Sequence, residues 1–85
     1  PEPPPPDPTA LETEALRLQE SGNYQDAAPL FEECLKLRRA TLGNDHIDTL
    51  AAMNNLANLY HDQGRDAEAE EMHWSCLQGR QRTLG

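Results

Sequence analysis

The tripeptide Thr-Leu-Gly occurs twice in this 85-residue chain, at residues 41–43 and again at residues 83–85. The residues upstream of each copy also match at the same separation of 42 positions. Similarity at a fixed period indicates one supersecondary unit that is copied and stacked on its neighbour, so the chain contains about two such units. The other matched pairs are Ala10 and Ala52, Ala15 and Ala57, Gly22 and Gly64, Ala27 and Ala69, Cys34 and Cys76, Leu35 and Leu77, and Arg38 and Arg80.

Composition favours helices over strands, because Leu, Ala, Glu and Gln are frequent and β-branched residues are few. Apolar residues recur three and four positions apart, which is the helical period. They predict an all-α chain of four antiparallel helices. The first starts at Thr9, and the second runs from Tyr24 to about Ala40. The third carries apolar residues from Leu50 to Tyr60 and ends at Gly64, and the fourth follows.

Glycines and capping residues mark the turns between these helices. Gly22 and Gly43 can adopt the positive φ that ends a helix. Asn23 is expected to cap the second helix, and either Asp45 or Asp48 the third. In this interpretation each Thr-Leu-Gly closes an outer helix and begins the long turn to the next inner helix.

The first eight residues, PEPPPPDP, cannot form a helix or a sheet because proline removes amide donors and fixes φ. They predict a polyproline II linker over residues 1–8, with a ligand for an SH3 or WW domain as the alternative. Residues 9–43 then form the first repeat unit, and residues 44–85 form the second.

The formal net charge of −8 argues against nucleic acid and anionic membranes as partners, because both require a positive surface. No stretch approaches the roughly 18 apolar residues of a membrane helix, and no leader of signal type is present. The two cysteines occupy equivalent repeat positions, which favours buried small residues in a reducing compartment over a disulfide. We therefore expect a cytoplasmic location.

The second unit resembles the tetratricopeptide repeats. Where that family has Leu, a small residue, an aromatic, Gly and Ala, the stretch NNLANLYHDQGRDAEAE has Leu56, Ala57, Tyr60, Gly64 and Ala69. The first unit is similar but looser, and its Glu14 stands in the place of a buried Leu, which suggests an exposed first helix. The 42-residue period is similar to that of the kinesin light chain repeats. The resemblance implies two tandem helix-turn-helix repeats, a fragment of a right-handed α-solenoid.

The same resemblance implies a non-catalytic module that binds a peptide segment of a partner protein in a concave groove. In the family, Asn side chains of the inner helices grip the peptide backbone, and the matching residue is Asn55. An amide suits this role because it supplies both a donor and an acceptor. For the other groove residues, a solvated side chain without contact is the equal alternative. These are Asn54, Asn58, His61 and Asp62 in the second unit and Thr9, Glu12, Thr13, Leu16, Gln19 and Glu20 in the first.

The charge of this face indicates the kind of peptide. It carries Glu12, Glu20 and Asp62 but no Lys or Arg of its own. A neutral or basic peptide is therefore the expected partner.

Enzyme motifs are missing from the sequence: there is no HExxH, paired CxxC, Gly-rich phosphate loop or nucleophile elbow. His73 and Cys76 lie three positions apart and could ligate a metal from one helix face. They align with Phe31 and Cys34, however, which favours a packing role for both. We expect no catalytic residue, no metal and no cofactor.

Trp74 aligns with Glu32 across the repeat, so it is expected on the outer, convex side of the last helix. Two roles stay open for it. It packs on a further repeat of a longer parent protein, or it anchors a self-contact, since Trp is enriched in interface hot spots. The self-contact belongs to the alternative function, in which exposed repeat ends pair into a homo-oligomer and assembly itself is the function.

Overall fold

The computed structural model describes residues 7–84, and within that range the chain forms four α-helices and no strand. The predicted all-α fold is confirmed. The predicted proline-rich linker lies mostly outside the described residues, because these do not include residues 1–6. The helices are α1 (Pro8–Glu20), α2 (Tyr24–Leu42), α3 (Ile47–Asp62) and α4 (Asp66–Leu84).

Each helix packs on the next one along the chain, α1 on α2, α2 on α3 and α3 on α4. Two helix-turn-helix units therefore stack through the contact between α2 and α3. The predicted boundary at residues 43 and 44 falls in the turn between those two helices. It stays a prediction of where one unit ends and the next begins.

The core is built around α3, because α2 and α4 both pack on it and bury half of its 16 residues. In α1 only Ala15 is buried, which fits the exposed first helix that Glu14 suggests. α3 supplies more buried apolar residues than any other described helix, and each fully buried Leu contributes about 1.5–3 kcal/mol. Its buried residues are Thr49, Leu50, Ala52, Met53, Leu56, Ala57, Leu59 and Tyr60.

The start of α2 has no hydrogen bond from a capping side chain. Asn23 occupies the position before α2, yet its side chain donates to Ser21 Oγ (3.2 Å) and accepts no N–H of the helix. Asn23 is therefore the N-cap residue of α2, as predicted, but it makes no side-chain cap hydrogen bond. Pro29 lies inside α2, which nevertheless continues without a break to Leu42.

The cap of α3 is His46, whose Nδ1 accepts the backbone N–H of Asp48 at 3.0 Å. The prediction that Asp45 or Asp48 caps this helix is wrong. Asp48 lies within the first turn, and the Asp45 carboxylate instead accepts two hydrogen bonds from Arg82 on α4, at 3.0 and 2.8 Å.

The glycine turns follow the prediction of positive φ, with 84° at Gly22, 91° at Gly43 and 80° at Gly64. At Gly22 and Gly64 the glycine N–H and the following N–H both donate to carbonyls of the last helical turn, the Schellman pattern. Gly43 differs, because its ψ of 166° places it in a region that is essentially restricted to glycine. The Gly of the first Thr-Leu-Gly is therefore required by the backbone itself.

The two thiols have equivalent roles in the two units. Cys34 and Cys76 are free and buried, as the sequence indicates. The Cys34 Sγ donates to the carbonyl of Pro8 (3.3 Å), and the Cys76 Sγ donates to that of Leu50 (3.4 Å). In both cases the thiol of an outer helix is bonded to an inner helix, and burial raises the pKa of Cys34 above its usual value.

Replacing Gly43 with Ala tests whether the backbone conformation at this position requires a glycine. We expect the free energy of unfolding to fall by about 1–3 kcal/mol, because a Cβ is strained at this φ and ψ. Urea denaturation followed by circular dichroism measures the change. The neighbouring Asn44→Ala, which has a negative φ, is the control and should leave the midpoint nearly unchanged. Equal midpoints for the two variants would contradict the requirement.

The Asp45–Arg82 pair makes stability depend on acid pH. The hydrogen bond from Arg82 lowers the pKa of Asp45 below its usual value. A carboxyl whose pKa is lower folded than unfolded contributes stability above its unfolded pKa, and that contribution disappears as the pH falls through the folded pKa. Because the pair is exposed, the contribution is small.

In the Arg82→Gln variant we expect the pKa of Asp45 to rise toward its ordinary value, as measured by an NMR titration of the carboxyl carbon. Arg80→Gln removes the same charge from the same helix without touching Asp45, and it should leave that pKa in place. An unchanged Asp45 titration in Arg82→Gln would show that the pair does not form in solution.

Candidate functional site

Polar side chains of α1 and α3 meet across the two repeat units. The Asn55 amide donates from Nδ2 to Glu12 Oε1 at 3.1 Å, and the Gln19 amide donates from Nε2 to Asp62 Oδ2 at 2.8 Å. Both bonds join residues 43 positions apart, so the two inner helices lie side by side along this surface. We call the surface that contains Glu12, Gln19, Asn55 and Asp62 the inner face.

Arg38 reaches this surface from α2, which the sequence analysis missed. Its Nη2 lies 2.9 Å from Glu12 Oε2, and its Nη1 donates to the carbonyl of Asp48 at 3.3 Å. The Arg38 side chain is only 12% exposed. The expectation of a face without Lys or Arg is therefore incomplete, because an almost buried arginine balances the charge of Glu12 from below. The alignment of Arg38 with Arg80 across the repeat was the one sequence signal that could have pointed to Arg38.

Asn55 is held in one orientation by this arrangement. Its Nδ2 is committed to Glu12, and Glu12 is in turn held by Arg38. Within residues 7–84 its Oδ1 makes no hydrogen bond, so an acceptor remains for a ligand. Asn55 itself is half-buried.

The remaining predicted groove residues differ in what they offer. The His61 Nδ1 lies 3.0 Å from Asp66 Oδ1, at the turn from α3 to α4. The Thr13 hydroxyl donates back to the carbonyl of Thr9 in its own helix at 2.9 Å. Asn54 is half-buried. The structure therefore brings predicted groove residues together in two pairs, Glu12 with Asn55 and Gln19 with Asp62. The side chains of Leu16, Glu20 and Asn58 are exposed and make no such contact.

The outward side of α4 is more exposed than the repeat alignment suggests. Trp74 is 61% exposed, as expected, and Leu77 is 46% exposed although its counterpart Leu35 is 3% exposed. His73 is also exposed, so the packing role predicted from its alignment with Phe31 is wrong. The reason is that α2 packs against both α1 and α3, whereas among the described helices α4 packs mainly against α3.

Two further findings concern the described residues as a group. Over residues 7–84, no three or more His, Cys, Asp or Glu side chains are grouped so that they could hold a metal ion. Within the same range, every helix is too short or too polar to cross a membrane.

The family of the protein follows from these repeats. A family model described as tetratricopeptide repeat matches residues 9–82, and the chain therefore belongs to the tetratricopeptide repeat family. Repeats of this family typically serve as non-catalytic scaffolds for protein–protein interaction. The match does not test the kinesin light chain-like subtype, which stays a prediction. A comparison with curated proteins gives no match.

The variant Arg38→Ala tests whether the ion pair between Arg38 and Glu12 stabilises the inner face. We expect the free energy of unfolding to fall by about 1–3 kcal/mol, because the partly buried Glu12 carboxylate loses its charged partner. Arg39→Ala, next to it on α2 but exposed, is the matched control and should change stability little. Chemical denaturation measures both variants. If they lose the same stability, Arg38 does not hold the two repeats together.

Proposed function

We propose that the protein binds a peptide segment of a partner protein on the inner face, with Asn55 as the principal contact. The observation that carries this proposal is the half-satisfied amide of Asn55. Glu12 takes one of the two N–H donors of the amide, and the Oδ1, which accepts no hydrogen bond within residues 7–84, accepts an N–H from the peptide backbone. A backbone contact of this kind is independent of the partner's side chains, which suits a scaffold that binds extended segments.

The length of the contact follows from helix geometry. Asn55 and Asp62 lie two turns apart on α3, which corresponds to about 10 Å along the helix axis. An extended peptide advances about 3.3 Å per residue, so three residues of the partner span this distance. Asn58 lies between the two positions and is exposed for a contact in the middle.

The charge of the face favours a neutral or basic segment. Arg38 balances Glu12, but Asp62 and Glu20 are exposed at the other end without a basic partner within residues 7–84. The chain as a whole carries −8 charges, so it attracts cationic segments over long range. The arrangement calls for no catalytic step, metal or cofactor, and the free buried thiols fit a reducing compartment such as the cytoplasm.

The second candidate function is self-assembly. Trp74 and Leu77 expose apolar surface on α4, and a second copy of the chain would cover it. In that case the homo-oligomer is the product and the inner face is accessory. Light scattering over a concentration series separates the two functions, because only self-assembly gives a molar mass that rises with concentration and falls back in Trp74→Ala.

The test of the inner face is the double variant Asn55→Ala with Asn58→Ala. A peptide is first selected on the wild-type protein from a random phage-displayed library, and its affinity is then measured by calorimetry. We expect binding to the double variant to be weaker by about tenfold or more, because one or two charge-neutral hydrogen bonds are lost.

The matched control is Asn44→Ala, which removes the same amide from the turn between α2 and α3. Its affinity for the peptide should equal that of the wild type. Unchanged affinity of the double variant would refute the inner face as the binding surface.

A further inference from the structure

A channel lies between α2 and α4 on the other side of α3 from the inner face. It consists of three adjoining cavities of about 480, 340 and 280 Å³. Because successive residues of a helix are rotated by about 100°, Leu56 and Tyr60 in its floor point away from Asn55 and Asn58. We call it the outer channel and define it by Leu35, Arg39, Leu56, Tyr60, Met72 and Ser75.

The floor of the outer channel is apolar. Leu35, Leu56 and Tyr60 are buried residues of the core, and the half-buried Met72 packs against the core. The largest cavity opens directly onto these side chains. A large apolar side chain placed there would be buried against apolar atoms of α2, α3 and α4. Removing its surface from water favours binding.

The rim of the same cavity carries Lys36 and Arg39, both exposed on α2. Over residues 7–84 neither of them has a carboxylate within ion-pair distance. Arg39 lines all three cavities, so its guanidinium is available along the channel. Four other arginines are paired with acidic side chains, namely Arg17 with Glu14, Arg38 with Glu12, Arg65 with Glu68 and Arg82 with Asp45.

The acidic groups of the channel lie toward its Tyr60 end. Glu68 and Glu71 line the cavity that Tyr60 shares with Met72, and Arg65 covers the Tyr60 ring at 4.1 Å and pairs with Glu68. Glu32 lines the largest cavity as well. Lys36 and Arg39 therefore both lie on the α2 side of the channel, whereas Glu68 and Glu71 lie on the α4 side. A ligand that carries carboxylates has to place them on the α2 side.

We infer that the outer channel is a second binding site, which takes a short partner segment with one large apolar side chain followed by two or more carboxylates. The apolar side chain lies on Leu56 and Met72, and the carboxylates pair with Lys36 and Arg39. Arginine suits this role because its planar guanidinium binds a carboxylate through two hydrogen bonds. The inner face favours neutral or basic segments, so the two sides of α3 accept partners of different charge.

The test uses rhodamine-labelled hexapeptides in which one Leu, Phe or Met precedes Glu and Asp, each with a counterpart carrying Gln and Asn instead. Fluorescence anisotropy measures binding to the whole chain. We expect at least one acidic peptide to bind, its amide counterpart to bind about tenfold more weakly, and added salt to weaken the acidic peptide.

Arg39→Glu should weaken the acidic peptide by about tenfold or more. The matched control is Arg80→Glu, which makes the same charge change on an exposed part of α4 outside the channel. A second variant, Ala40→Trp, keeps the charge but fills the channel from an exposed position that lines it, and it should also abolish binding. Circular dichroism confirms that each variant is folded.

Three results would overturn the inference. The first is that no acidic peptide binds, and the second is that Arg39→Glu and Arg80→Glu have equal effects. The third is loss of the acidic peptide in the Asn55→Ala, Asn58→Ala variant with binding retained in Ala40→Trp, which would place the peptide on the inner face. Because the channel variants leave Asn55 intact, failure here is distinct from failure of the proposed function.

Discussion

The burial of α3 between α2 and α4 is the constraint on which the rest of the structure depends. Half of the residues of this helix are withdrawn from water, and the two outer helices supply most of the surface that covers them. An 85-residue chain buries a limited apolar surface, and this helix supplies more of the buried apolar residues than any other described helix. Its remaining side is left for polar residues, and these form the inner face. The gap between the two covering helices forms the outer channel.

The polar side chains of the inner face are held in place by an ion pair and hydrogen bonds. Arg38 is almost buried beneath it, and the ion pair with Glu12 stabilises the fold mainly because removing either partner leaves a charge unpaired. The same pair fixes Glu12, which in turn fixes the amide of Asn55. One network therefore joins the first repeat to the second and also prepares an acceptor for a ligand. If the inner face binds a peptide as we propose, stability and binding depend on the same three side chains.

The helical spacing of the apolar residues was enough to predict the four helices, and the glycines that end helices predicted the positive φ at Gly22 and Gly43. The repeat period predicted the buried thiols, because core positions recur with the repeat. The repeat alignment failed where the neighbouring helices differ between the two copies. His73 aligns with Phe31 but is exposed, since α2 lies between two helices and α4 does not. The cap by His46 depends on the local side-chain conformation at the start of α3, and the contact of Arg38 with Glu12 depends on side-chain geometry between helices. Sequence spacing encodes neither of them.

The most direct test of the account is to map a bound peptide by NMR, using amide chemical shifts of the protein with a segment selected on the wild-type chain. The account predicts that the largest changes fall on the side-chain amide of Asn55 and on the backbone of α1 and α3 along the inner face. Changes confined to the outward side of α4 around Trp74 would contradict it, and the protein would then bind through the end of the repeat stack.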